Sequence, residues 1–431
     1  LAVYAWSGPV YLLVLIVLTA IAWSTGKALS GQFSQEQKKT GFIFGVGVIV
    51  LALVVLKYGD FLLGSVRAIA GVPKTLPQIV IPVGISIYTL RLISYLADVY
   101  RAEIPPEEDF IALLTWSSLF YGMSVGPLFR YRDFREAMRS RTVRIQGFSR
   151  GVSRICLGIG KKYLLADSLA VVVDQYLVRS RAGLSAVPVT GLWIGVILSA
   201  LRMYLQFSAY ADVAVGLSLF SGLPEEESFQ YSLCSASVTG FISKWFISIG
   251  DFFRTYVREP VTRACGSELA GSVVSCVLFG LWFGGSWSYA LWGVFVALWM
   301  ALEARYFSHI QPAIAGLLGL IGMFLSFVFL SFTTLPRLGI ALLGLVGLRG
   351  NGFYQATVFS GLKGALPLVI VSILFCMPIG TIVHNAWYGW NRKRKNMLMI
   401  ASAWEFIWPL ALLILTVIFT FWNHGNAFLV Q

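Results

Sequence analysis

Charge is scarce in this chain of 431 residues: Asp, Glu, Lys and Arg make up 12%, about half of what soluble domains carry, while 57% of positions are hydrophobic. A water-soluble enzyme is excluded on that ground. Histidine is scarcer still, with three copies, His309, His384 and His424, spread over distant segments, so no metal centre is expected. The five cysteines, Cys156, Cys234, Cys265, Cys276 and Cys376, have neither CxxC nor CxxH spacing. They predict no disulfide framework and no zinc site. The chain also lacks low-complexity tracts, any polar stretch long enough for an ordinary soluble domain, and the internal repeats of inverted-repeat transporters. Acidic residues are in deficit, 20 against 33 Lys and Arg, for a net charge of +13. In so apolar a chain this excess fits cytoplasmic loops facing anionic lipid, and no nucleic-acid partner is expected.

What the chain has in abundance is apolar runs, which a bilayer core turns into helices of about 20 residues. The clearest are Val10 to Ile21, Gly41 to Leu56, Gly191 to Leu201, Leu269 to Leu302, Ala313 to Phe332, Leu366 to Ile382 and Met397 to Trp422. Shorter or charge-bearing candidates lie at Gln78 to Tyr100, Phe110 to Val125 and Val213 to Leu223. Together they predict an all-helical polytopic membrane protein, residues 1–431 in a single transmembrane domain, with nine to eleven membrane helices, some short or re-entrant. The first run follows Leu1 almost at once without a basic region before it, so it does not read as a signal peptide.

Two loops are strongly basic. One carries Arg130, Arg132, Arg135, Arg139, Arg141, Arg144, Arg150 and Arg154, followed by Lys161 and Lys162; the other is Arg392 to Lys395. Both are expected on the cytoplasmic side, where they orient the chain, contact lipid headgroups, or attract an anionic acyl donor. Between Ser149 and Tyr176, Lys161, Lys162, Asp167 and Asp174 interrupt apolar positions at helical intervals, predicting an amphipathic helix at the interface or partly buried. Arg91, Arg202, Asp212, Lys244 and Glu405 stand inside or beside apolar runs. Ionisable groups there are expensive, so each is expected in a buried pair, along a watered tunnel, or snorkelling at a span end.

Three stretches in order resemble one family. Pro82 to Arg101 (PVGISIYTLRLISYLADVYR) is similar to the opening motif of the bacterial membrane-bound O-acyltransferases, the MBOAT family, in the branch that acetylates alginate and related envelope polysaccharides. Ser124 to Phe134 (SVGPLFRYRDF) resembles that branch's glycine-proline-arginine loop, and Gly160 to Ala170 its next helix. The resemblance runs on through Tyr204 to Gly216, Phe241 to Tyr256 and Gly280 to Gly293, and more weakly through Phe327 to Gly347 and Cys376 to Gly380. It implies a ring of tilted helices around a central tunnel that joins a cytoplasmic acyl donor to an extracytoplasmic acceptor. It also implies that part of the first family span precedes residue 1, and a bacterial cytoplasmic membrane as the location.

Acyl transfer to a hydroxyl needs a base, and histidine titrates in the right range. The resemblance gives two histidines, in G-L-W-H-G-x-x-W and W-R-R-W-H-I-S. Here the corresponding stretches read Gly280-Leu281-Trp282-Phe283-Gly284-Gly285-Ser286-Trp287 and Ile242-Ser243-Lys244-Trp245-Phe246-Ile247-Ser248. Phenylalanine stands at both positions and can neither accept nor donate that proton. A third motif, Y-F-D-F-S-G-Y-S-D, is matched by Tyr204 to Asp212, with Gln206 in place of its first carboxylate and Asp212 kept. If helix runs on from Phe283, His309 lies about 39 Å away along the axis, too far to substitute.

No catalytic residue is therefore assigned. Gln206, Asp212, Lys244, Trp245, Trp282, Ser286 and Trp287 are the candidates for a tunnel or substrate site, and Arg130, Arg132, Lys161 and Lys162 for the cytoplasmic donor side. The reading favoured is a pseudoenzyme, a binding or scaffold protein related to envelope polysaccharide O-acyltransferases, touching membrane lipid, an acyl donor, an envelope glycan or an extracytoplasmic acyltransferase partner. The alternative is an active O-acyltransferase using a donor such as acetyl-CoA, with no bound cofactor. A transporter or flippase is a third reading, disfavoured by the missing repeat.

Overall fold

The computed structural model describes residues 1–71, 80–122, 125–139, 141, 145–178, 181–223, 225–391 and 407–422. Their regular structure is helical, and the only pairing of extended backbone among them is the single bridge between Phe229 and Trp245. Among the described residues six helices are long and apolar enough to cross a bilayer: Pro9–Ser30, Gln35–Ala70, Val189–Phe220, Trp287–His309, Pro312–Ser331 and Val358–Cys376. Four shorter apolar helices, Phe110–Gly122, Glu268–Phe283, Leu335–Leu345 and Ile407–Trp422, accompany them.

Several runs are divided differently from the expectation. Gly191 to Leu201 and Val213 to Leu223 are one helix, Val189–Phe220, whose polar middle around Arg202, Gln206 and Asp212 lowers hydropathy without breaking the backbone. Leu269 to Leu302 is two helices, Glu268–Phe283 and Trp287–Tyr306, folded against each other at Gly284 to Ser286. Glycines permit that hairpin: a Cβ on Gly293 would collide with the Cys276 carbonyl and Val277 Cα. Gly41 to Leu56 is the middle of a helix that continues through a π-turn, Val54–Tyr58, to Ala70. Leu366 to Ile382 is split at Met377 and Pro378 between Ala356–Cys376 and Ile379–Asn391. The Met397 end of the last run lies outside the described residues, as do Arg144, Arg392 to Lys395, Glu405 and His424.

The amphipathic stretch is helical from Ile145 to Tyr176, with a second π-turn at Lys161–Ala166. It lies along Val189–Phe220 with backbones nearly touching. Cβ atoms on Gly151 or Gly216 would each meet the other's carbonyl oxygen, at 2.7 and 2.6 Å. Small residues are how membrane helices gain contact where water-driven association is absent.

Candidate functional site

The centre of the larger core is aromatic. Ser237 caps Val238–Lys244 through the Gly240 amide, and the buried carboxylate of Glu303 accepts from the Val238 and Thr239 amides at 2.6 and 2.9 Å, a negative charge at the positive helix end. The chain then turns sharply at Phe246, whose φ of 51° and ψ of 55° are left-handed. Neighbouring backbone fixes that turn: Ile247 N–H donates to the Ser228 carbonyl at 2.9 Å, and Gln230 N–H to the Lys244 carbonyl at 3.2 Å. The Phe246 side chain is consequently driven into the core, fully buried beside Trp245. Phe283 arrives as the last residue of Glu268–Phe283, and Phe207 from Val189–Phe220. The Phe246 ring lies 5.4 Å from Phe283, 5.2 Å from Phe207, 5.2 Å from Trp282 and 4.7 Å from Phe229. These separations suit edge-to-face aromatic packing. The indole N–H groups of Trp245, Trp282 and Trp292 find no protein partner.

Of the residues singled out from sequence, Trp245 and Trp282 belong to this cluster, and Gln206 is half-buried next to its Phe207. Ser286 is used locally, capping Trp287–Tyr306 and donating to the Thr333 carbonyl at 2.6 Å. Trp287 is 52% exposed, its N–H on Ser65 Oγ at 3.1 Å and its ring on Phe61, and Lys244 is exposed. Asp212 is buried in an ion network: it accepts from Lys161 at 2.7 Å and pairs with Arg154 at 3.0 Å, while Arg154 also holds Glu225 and Glu227. His309 sits exposed on a short turn after Trp287–Tyr306, a helix about 30 Å long, so the hairpin break leaves it remote from the ring cluster.

The four donor-side candidates are individually partnered. Arg130 donates to Thr255 Oγ1 at 3.2 Å and lies over the Tyr256 ring, Arg132 pairs with Glu136 at 3.4 Å, and Lys162 pairs with Asp167. Arg130 borders a polar cavity of about 240 Å³ with Asp133, Glu226, Asp251 and Tyr256. Burial there, with Asp133 adding repulsion, pushes the Glu226 carboxyl up to about 7. Arg91 is fully buried and finds carbonyls instead of a carboxylate: its Nη1 donates to Trp116, Ser117 and Leu119 at 3.3, 3.4 and 3.1 Å, capping Phe110–Ser117.

A second cavity, about 360 Å³, opens beside Phe283, Phe207 and Trp282. It holds the residue that sequence reasoning missed, Lys57. The Lys57 ammonium donates to the Trp282 carbonyl and to Ser86 Oγ, both at 2.6 Å, and Tyr58 donates to the Leu281 carbonyl at 2.8 Å. A lysine ending one apolar run with another, Phe61 to Ala70, close behind it was the available signal.

Helices of membrane-crossing length, broken helices between them and buried ionisable side chains define a multi-pass membrane protein. The model of the MBOAT, membrane-bound O-acyltransferase family, matches residues 103–329, and the chain belongs to that family. It is 30% identical to the probable alginate O-acetylase AlgI of Pseudomonas syringae pv. tomato over 72% of this chain and 60% of that protein. Against the Pseudomonas putida protein of the same name the figures are 32%, 61% and 54%, and against the peptidoglycan O-acetyltransferase of Helicobacter pylori 22%, 73% and 66%. The chain thus spans less than two thirds of the length of these alginate relatives.

Proposed function

We propose that this chain is a binding or scaffold pseudoenzyme of the bacterial cytoplasmic membrane, related to envelope polysaccharide O-acyltransferases but without histidine-dependent transfer. One observation carries the reading: Phe246 and Phe283, at the two positions that family resemblance gives to histidine, meet ring to ring in an aromatic cluster. Benzyl groups cannot take a proton from an acceptor hydroxyl. The left-handed backbone at Phe246 supports descent from a histidine-bearing site, because histidine is enriched in that conformation and a bulky apolar residue is an outlier there. The ligands in this reading are membrane lipid, an acyl donor or an envelope glycan, with an extracytoplasmic acyltransferase as the protein partner.

The names of the relatives favour the second reading, an active O-acyltransferase that passes acetyl groups from acetyl-CoA to an extracytoplasmic polysaccharide. Measuring the O-acetyl content of envelope polysaccharide in a strain whose only such protein is this chain separates the two. The pseudoenzyme reading expects the level of a strain lacking any family member; O-acetylation well above that level supports transfer.

A further inference from the structure

The π-turn Val54–Tyr58 carries an ammonium group that no carboxylate among the described residues neutralises within ion-pair distance. A cation inside an apolar span is costly unless it meets a partner or serves a ligand, and π-turns recur at functional positions. Two of the three Lys57 protons are used, on the Trp282 carbonyl and Ser86 Oγ. The third has no hydrogen-bond acceptor among the described residues, and Ser86 keeps its own hydroxyl proton to donate. Both groups belong to residues lining the 360 Å³ cavity beside Phe283, where no acidic side chain stands among the described residues; much of the remaining wall is Ile81, Pro82, Val83, Ile85, Phe207 and Phe283. The volume falls within the range of about 300–1,000 Å³ typical of small-molecule sites.

A cavity with apolar walls, a hydroxyl donor and one unneutralised cation complements an apolar molecule that ends in an anionic acceptor. We infer that it binds an aliphatic monocarboxylate, the carboxylate held by Lys57 and the chain lying against Phe207 and Phe283. This deepens the binding reading above by naming its ligand class.

The test uses the whole chain in phosphatidylcholine nanodiscs, titrated with hexanoate and separately with palmitate, each carrying a ¹³C label at the carboxyl carbon. Hexanoate samples acids arriving from water, palmitate acids arriving from the bilayer. Saturable binding of at least one acid is expected, seen as a shifted carboxyl resonance and weakened about tenfold or more in Lys57→Met while largely kept in Lys57→Arg. Val83→Trp adds bulk to the cavity wall at a residue that makes neither Lys57 hydrogen bond, so it decides the matter should Lys57→Met fail to fold; it too is expected to weaken binding about tenfold. Unchanged affinity in Val83→Trp, binding of 1-hexanol as tight as hexanoate, or no saturable binding of either acid overturns the inference. Because the readout is occupancy, acyl transfer by the unmodified chain would defeat the pseudoenzyme reading and leave this site standing.

Discussion

Asp212 on Val189–Phe220 accepts from Lys161 at 2.7 Å, tying the central helix to the π-turn of the helix lying along it. Arg154 takes the other Asp212 oxygen at 3.0 Å while also holding the Glu225 and Glu227 carboxylates, so the loop leading to Phe229 is anchored by the same charges. The aspartate is 6% and the lysine 12% exposed, which makes the pair costly to break.

Asp212→Ala should therefore destabilise the protein by about 3 kcal/mol, mostly through the uncompensated Lys161. Thermal unfolding in lipid checks this. The double variant Asp212→Leu with Lys161→Met should recover much of the loss, because it removes the buried charge along with its partner. A thermal midpoint unchanged in Asp212→Ala would show that the pair contributes nothing to stability.

Gly293→Val should prevent the hairpin of Glu268–Phe283 and Trp287–Tyr306 from closing, since the added Cβ meets backbone atoms that cannot step aside. A loss of at least about 3 kcal/mol, the upper end of ordinary overpacking costs, is expected as poor yield of folded protein in membranes. Gly250→Ala, whose Cβ would meet nothing within 4 Å, is the matched control and should express normally.

The Glu226 carboxyl, pushed up to about 7 by burial and Asp133, gives stability a pH dependence. The folded state holds its proton where the unfolded chain has already lost it, so stability falls as pH rises from the ordinary carboxyl range through about 7 and is level above. Glu226→Gln should remove that slope and raise stability at pH 8 by on the order of 1 kcal/mol, since partial exposure screens the effect. Thermal midpoints of both proteins between pH 5 and 8 check it; a slope that survives in the variant assigns the titration to another group.

The all-helical, apolar character of the chain was legible because hydropathy reports burial in lipid or protein alike, but the boundaries of its segments were not. Lys57 ended the expected second span, since a charge looks like the edge of a membrane helix; nothing local says that Ser86 and the Trp282 carbonyl wait for it 29 and 225 residues away. The polar residues that split Val189–Phe220 into two expected spans misled for the same reason, Asp212 being matched by Lys161 and Arg154 from another helix. Conversely, Gly284 and Gly285 marked the break inside Leu269 to Leu302, yet a long apolar run hides such a turn. The juxtaposition of Phe246 and Phe283 followed only from family resemblance, because the two lie in motifs joined by no periodicity.

The claim most exposed to test is that the two rings leave the centre without a proton acceptor. Purified chain in lipid should be supplied with radiolabelled acetyl-CoA and envelope polysaccharide fragments beside its Phe246→His, Phe283→His double variant, and label in the glycan counted. The account predicts background incorporation for the unmodified chain, with any gain confined to the variant. Donor-dependent acetylation by the unmodified chain, saturating in both substrates, would contradict it.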